Sequence, residues 1–128
     1  MTKAVNYLTM NHKYLREADA LLGKGDYAQA SEKFWGAAAA IVKSVAAKKG
    51  VRIRSHGELY KFVAKLRDEL NEPELIRLFA AAASLHQNFY ENWLPPEVVI
   101  DCGEAVKQLV SKLGEIRGNS SQGSVDRS

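Results

Sequence analysis

A chain of 128 residues with 46% hydrophobic and 26% charged residues has the size and composition of one globular domain with a real core, which excludes a wholly disordered or fibrous chain. Its net charge of +3 is too small to identify a nucleic-acid partner, and its single cysteine excludes an intramolecular disulfide and nearly excludes a thiolate zinc site within one chain. The apolar run Ala37 to Val42 falls far short of the ~20 residues of a membrane span, and Met1-Thr2-Lys3 leads into an amphipathic helix rather than an export signal, so a cytoplasmic protein without membrane contact is expected.

Helical periodicity begins almost at the first residue. Val5, Leu8, Leu15 and Leu22 repeat at helical spacing, widened by Tyr7, Tyr14 and Leu21, and predict a helix from Thr2 to Leu22 that ends at Gly23-Lys24-Gly25. Asp26 is a natural N-cap for a second helix reaching Lys49, stopped by Gly50. This helix carries two apolar stripes, Tyr27, Ala30, Phe34, Ala37, Ile41, Val45 and Trp35, Ala38, Val42, Ala46. Such breadth marks a central helix.

Val51 to Arg54 form a short basic connection. Ser55 and Glu58 then make a capping box for a third helix that buries Leu59, Phe62, Val63, Leu66 and Leu70. Asn71 and Glu74 have the same arrangement ahead of a fourth, with Pro73 in its first turn and Leu75, Leu78, Phe79, Ala82, Leu85, Phe89 and Trp93 on its inner side. Pro95 and Pro96 break the chain before a last helix from Glu97 to Ile116, which buries Val98, Cys102, Leu109, Leu113 and Ile116. The reading is all-α, an antiparallel up-and-down bundle of four long helices plus a shorter one over residues 1–117, with a disordered polar tail over 118–128.

Most chemical motifs are absent: no phosphate-binding glycine loop, no nucleophile elbow and no HExxH. His12, His56 and His86 lie on three different helices, and no Glu-x-x-His pair suggests a di-iron site, so neither metal nor cofactor is expected. Two segments carry candidates. No acidic residue occurs between Glu32 and Glu58, whereas Lys33, Lys43, Lys48, Lys49, Arg52 and Arg54 are all basic. Lys43, Arg52, Arg54, Ser55 and His56 are therefore the expected anion- or nucleotide-binding set, at the start of the third helix where free N–H groups favour a phosphate. A plain solvated loop is the competing interpretation. The second candidate face is His86, Asn88, Tyr90 and Glu91, beside Phe89 and Trp93 on the fourth helix; a core edge or a subunit contact competes with ligand binding there.

The stretch Ala30 to Ala39, the Ser55-His56-Gly57-Glu58-Leu59 helix start and Leu85-His86-Gln87-Asn88-Phe89-Tyr90-Glu91 together resemble the archaeal PaREP family, over roughly residues 5 to 116. That family is similar in turn to the HEPN superfamily of helical, nucleotide-associated domains. The resemblance implies a HEPN-like bundle and a homodimer, with a nucleotide, RNA or a nucleotidyltransferase-type protein as partner. Many HEPN domains are ribonucleases with an Arg, four to six intervening residues and a His. Here Arg52 precedes His56 with three residues between, Arg54 with one, and Arg77 precedes His86 with eight, so no pair fits. The resemblance thus implies a non-catalytic binder, the alternative being a divergent ribonuclease or phosphoryl-transfer enzyme using His56 and the nearby arginines.

Overall fold

The computed structural model describes residues 2–126, with side chains through residue 114. Five helices follow in order: α1 (Lys3–Gly23), α2 (Tyr27–Lys48), α3 (His56–Leu70), α4 (Leu75–Glu91) and α5 (Pro96–Asp126). No strand occurs among the described residues. The boundary expected near residue 117, and the polar tail beyond it, lie outside the residues whose side chains are described.

The starts of the first three helices follow from local chemistry. Thr2, Asp26 and Ser55 each accept a hydrogen bond from the backbone N–H three residues on, satisfying a donor that the helix itself leaves free. Gly25 and Gly50, both at positive φ, turn the chain after α1 and α2. Asn71 does not begin α4, as its capping-box pattern suggested. It adopts the left-handed conformation that closes α3, and Glu74 precedes Leu75 without a side-chain cap, so Pro73 falls in the connection. Pro96 is the first residue of α5, where its missing N–H costs nothing.

Paired residues fix the helix directions. Ala4 meets Ser44, Asn11 meets Ala37 and Glu17 meets Lys33, so α1 and α2 are antiparallel. Ser31 meets Asn88 while Trp35 meets Phe79, which sets α4 antiparallel to α2. Ser84 against Cys102 and Glu72 against Lys112 do the same for α4 and α5. The four long helices are therefore the up-and-down bundle. The shorter α3 is the exception in direction: Trp35 lies beside His56 and Lys49 beside Glu69, so α3 runs parallel to α2. Its start must be carried back over fourteen residues of α2, about 21 Å. The segment Gly50 to Ser55, about 20 Å if extended, spans that distance. The basic junction is thus a strap laid back along α2.

Helix α2 packs against all four other helices, as its two apolar stripes require. Phe34, Ala37, Ala38, Ile41 and Val42 are completely buried in it. Several expected burials shift. The seam of α1 is Ala4, Asn11 and Ala18, while Val5 is exposed, because small side chains let α1 approach α2 closely. Val99 rather than Val98 faces inward, because Val99 shares with Val106 and Leu113 the seven-residue spacing of one helix face. Trp93 is 62% exposed because α4 ends at Glu91 and Asn92 turns left-handed, so the helical periodicity no longer applies to it. Cys102 is half-buried, with its Sγ 3.7 Å from Ser84 Oγ.

Surface ion pairs tie α1 to its neighbours. The Lys33 ammonium, 2.9 Å away, holds the Glu17 carboxyl below its ordinary value, and Asp19, at 2.9 Å, holds Lys107 of α5 above the usual lysine range. No helix among the described residues is long and apolar enough to cross a membrane.

Candidate functional site

The strap, the first turns of α1 and the last turns of α2 enclose a groove of about 740 Å³. Three elements build it. Ser44 Oγ donates to Ala4 O at 3.1 Å and pins the start of α1 beside the end of α2. Val51 N donates to Ala46 O at 2.8 Å and folds the strap back over α2. Its lining carries Lys3, Lys43, Lys48, Arg52 and Arg54 together with the apolar Ala46, Ala47, Val51 and Ile53. No Asp or Glu lines the groove, and none of these five cations makes an ion pair among the described residues.

The anion set expected from the sequence is divided by the structure. Lys43, Arg52 and Arg54 share the groove. Ser55 and His56 are not among its lining residues. Ser55 Oγ accepts from Glu58 N at 3.1 Å, and Glu58 Oε1 accepts from Arg54 N. These contacts take up the Glu58 and Arg54 N–H groups, and with Ser55 and His56 outside the lining the arginine and lysine side chains are what an anion in this groove would meet.

His56 turns instead toward the second candidate face. Its ring lies 5.3 Å from that of Trp35 and 5.2 Å from that of His86, edge-on to both. His86 stacks on Trp35 at 5.1 Å and meets Glu32 Oε1 through Nδ1 at 2.9 Å. Tyr90, 70% exposed, stands edge-on to His86. Two segments far apart in sequence thus meet around a tryptophan. Among the described residues, no group of three or more His, Cys, Asp and Glu is placed to hold a metal ion.

Asn88 and Glu91 do not join this cluster. Glu91 is exposed at the end of α4 and makes no side-chain hydrogen bond or ion pair among the described residues. Asn88 is fully buried: its Nδ2 donates to Ser31 Oγ, and its Oδ1 accepts from both Trp93 N and Leu94 N at 2.9 Å. It closes the end of α4 from inside. Asn88→Ala should therefore lower stability by about 1–3 kcal/mol, because two backbone donors lose their partner. Urea unfolding measures this; a loss below about 0.5 kcal/mol would show that solvent reaches those donors unaided.

Sequence reasoning missed Lys3 and Tyr7 in the groove, and Glu32 as the partner of His86. Lys3 and Tyr7 are remote in sequence from the basic junction. Glu32 reads locally as one more surface carboxylate.

The model for the archaeal PaREP1/PaREP8 family matches residues 6–110. The chain belongs to this family. Within the PaREP1/PaREP8 match lie the strap, His56 and His86, and every groove residue from Tyr7 on; Thr2 to Val5 precede it. The chain is also similar to the crystal structure of a protein from Sulfolobus solfataricus, at 28% identity over 83% of this chain and 94% of that one, with a TM-score of 0.75. No curated protein matches it.

Proposed function

We propose that this PaREP1/PaREP8 chain is a HEPN-like, non-catalytic binding protein whose ligand is a nucleotide or RNA held by its phosphates. The observation that carries this reading is the groove itself: five cations, none with a carboxylate partner among the described residues, line one concave surface that also carries apolar side chains. Gathering like charges costs free energy through mutual repulsion, and a bound polyanion relieves it. The start of α1 adds the positive end of a helix dipole to the same wall. Titration of inorganic triphosphate and short RNAs at increasing salt tests the reading, since phosphate binding must weaken as counterions compete.

A second reading is supported by the His56–His86–Glu32 cluster. An imidazole oriented by a carboxylate, with a second imidazole beside it, is an acid–base arrangement suited to phosphoryl transfer. RNA recovered intact from the same titrations argues against it; accumulation of cleaved chains argues for it.

The protein is further proposed to be a homodimer. Tyr90, Trp93, Val98 and Ile100 are large side chains left exposed at the end of α4, in the connection and at the start of α5, apolar surface of the kind that subunit contacts use. A second copy would cover it. Light scattering at micromolar concentration should give the mass of two chains, and Trp93→Asp should give the mass of one. A wild-type mass of one chain contradicts the dimer.

A further inference from the structure

The cationic groove does not end at Lys43. A smaller depression of about 220 Å³ continues from it along the α1–α2 surface, and Tyr7 and Lys43 line both. Beyond them it is bounded by Tyr14, whose ring covers Gly36, and by Ala39, Trp35 and Glu32. Among the residues that line this combined cleft charge runs one way; Lys33, whose ammonium lies over the Tyr14 ring, is paired with Glu17. All five cations stand at the strap end, Lys43 being the last, and the far end closes on a carboxylate. Lys43 stands eleven positions after Glu32 on α2, about 16 Å along the helix.

That polarity discriminates between ligands. Single-stranded RNA is anionic along its whole length and would bring phosphates against Glu32. A nucleoside polyphosphate carries its charge at one end and a neutral, hydrogen-bonding base at the other. Glu32 is prepared for such a base: His86 Nδ1 holds its Oε1 at 2.9 Å, and His86 is itself fixed by stacking on Trp35. The carboxylate keeps acceptor capacity on both oxygens, because each has two lone pairs. A fixed carboxylate selects two adjacent donors. Guanine presents such a pair, its ring N1–H and exocyclic 2-amine. In adenine and cytosine the amine sits beside a ring nitrogen acceptor, and in uracil the ring N–H is flanked by two carbonyls, so each would set an acceptor against the carboxylate.

We propose that the cleft binds a guanine nucleotide, its phosphates among Lys43, Arg52 and Arg54 and its base in the smaller depression, where Glu32 accepts from N1–H and the 2-amine. Tyr7 supplies aromatic surface against the base. The inference rests on the anion-binding reading of the groove and adds the identity of the base.

Calorimetric titration with inorganic triphosphate, GTP, ITP, ATP and an RNA octamer tests it. GTP should bind at least tenfold more tightly than ATP or triphosphate, and ITP, which lacks the 2-amine, should fall between. Glu32→Gln should erase the preference for GTP over ATP while leaving triphosphate affinity unchanged. Ala39→Phe fills the depression without altering the Glu32–His86 pair, and should reduce GTP to the affinity of triphosphate. Circular dichroism confirms that both variants are folded, and either one suffices for the test. Equal affinity for GTP and ATP in the wild type, or a preference that survives in a folded variant, would overturn the inference while the groove reading stands. An octamer binding more tightly than GTP would overturn it in favour of RNA. Absence of triphosphate binding would remove both.

Discussion

Phe34→Ala should destabilise the protein by about 3–5 kcal/mol, the range for deleting a fully buried phenyl ring. Phe34 is completely buried on α2, and its ring edge lies where a side chain on Gly103 of α5 would begin. A Cβ built on Gly103 would stand 2.7 Å from Phe34 Cε2, closer than carbon atoms approach. The glycine is what lets α5 seat against α2. Gly103→Ala should accordingly cost about 1–3 kcal/mol through overpacking, despite alanine's better helix propensity. The double variant should lose clearly less than the two single losses added, because removing the ring makes room for the methyl group. Equilibrium urea unfolding of the four proteins measures the cycle. Strict additivity would mean that the helices separate to absorb each change independently.

Removing the guanidinium groups from the strap should have the largest effect on binding. Arg52 and Arg54 are exposed, so Arg52→Ala/Arg54→Ala should leave stability within about 0.5 kcal/mol of wild type. Each charge-assisted hydrogen bond to phosphate contributes about 1.5–3 kcal/mol. Loss of both should weaken triphosphate binding by about two orders of magnitude or more, and should flatten its dependence on salt. Lys61→Ala/Lys65→Ala supplies the control: it removes the same net charge from α3, at residues that do not line the groove. Affinity unchanged in the arginine variant, or reduced equally in both, would show that any binding reflects overall charge rather than this groove.

Much of the architecture was legible because helical periodicity and punctuation are local. The breadth of the apolar surface on α2 announced its central place, Asp26 and Ser55 announced helix starts, and Gly25 and Gly50 sat where the chain had to reverse. Paired signals of similar strength misled where neighbours compete for the same residue. Asn71 fits the start of α4 by pattern, but the end of α3 claims it because asparagine tolerates the left-handed conformation there. Trp93 fits the inner stripe of α4 only if that helix continues, and Asn88 stops it by taking the N–H groups of Trp93 and Leu94.

The chemistry of the site was divided differently. Residue identity and charge spacing alone determined that a basic segment lies between Glu32 and Glu58 and that its Ser55 caps a helix. Only the tertiary structure decided what faces what. Because α3 runs parallel to α2, the junction is stretched into a strap, which sends Arg52 and Arg54 toward the start of α1 and His56 toward Trp35 and His86. Lys3 and Glu32 join these groups across separations of tens of residues. No local pattern encodes such pairings, since helix direction and packing are set by burial summed over the whole chain.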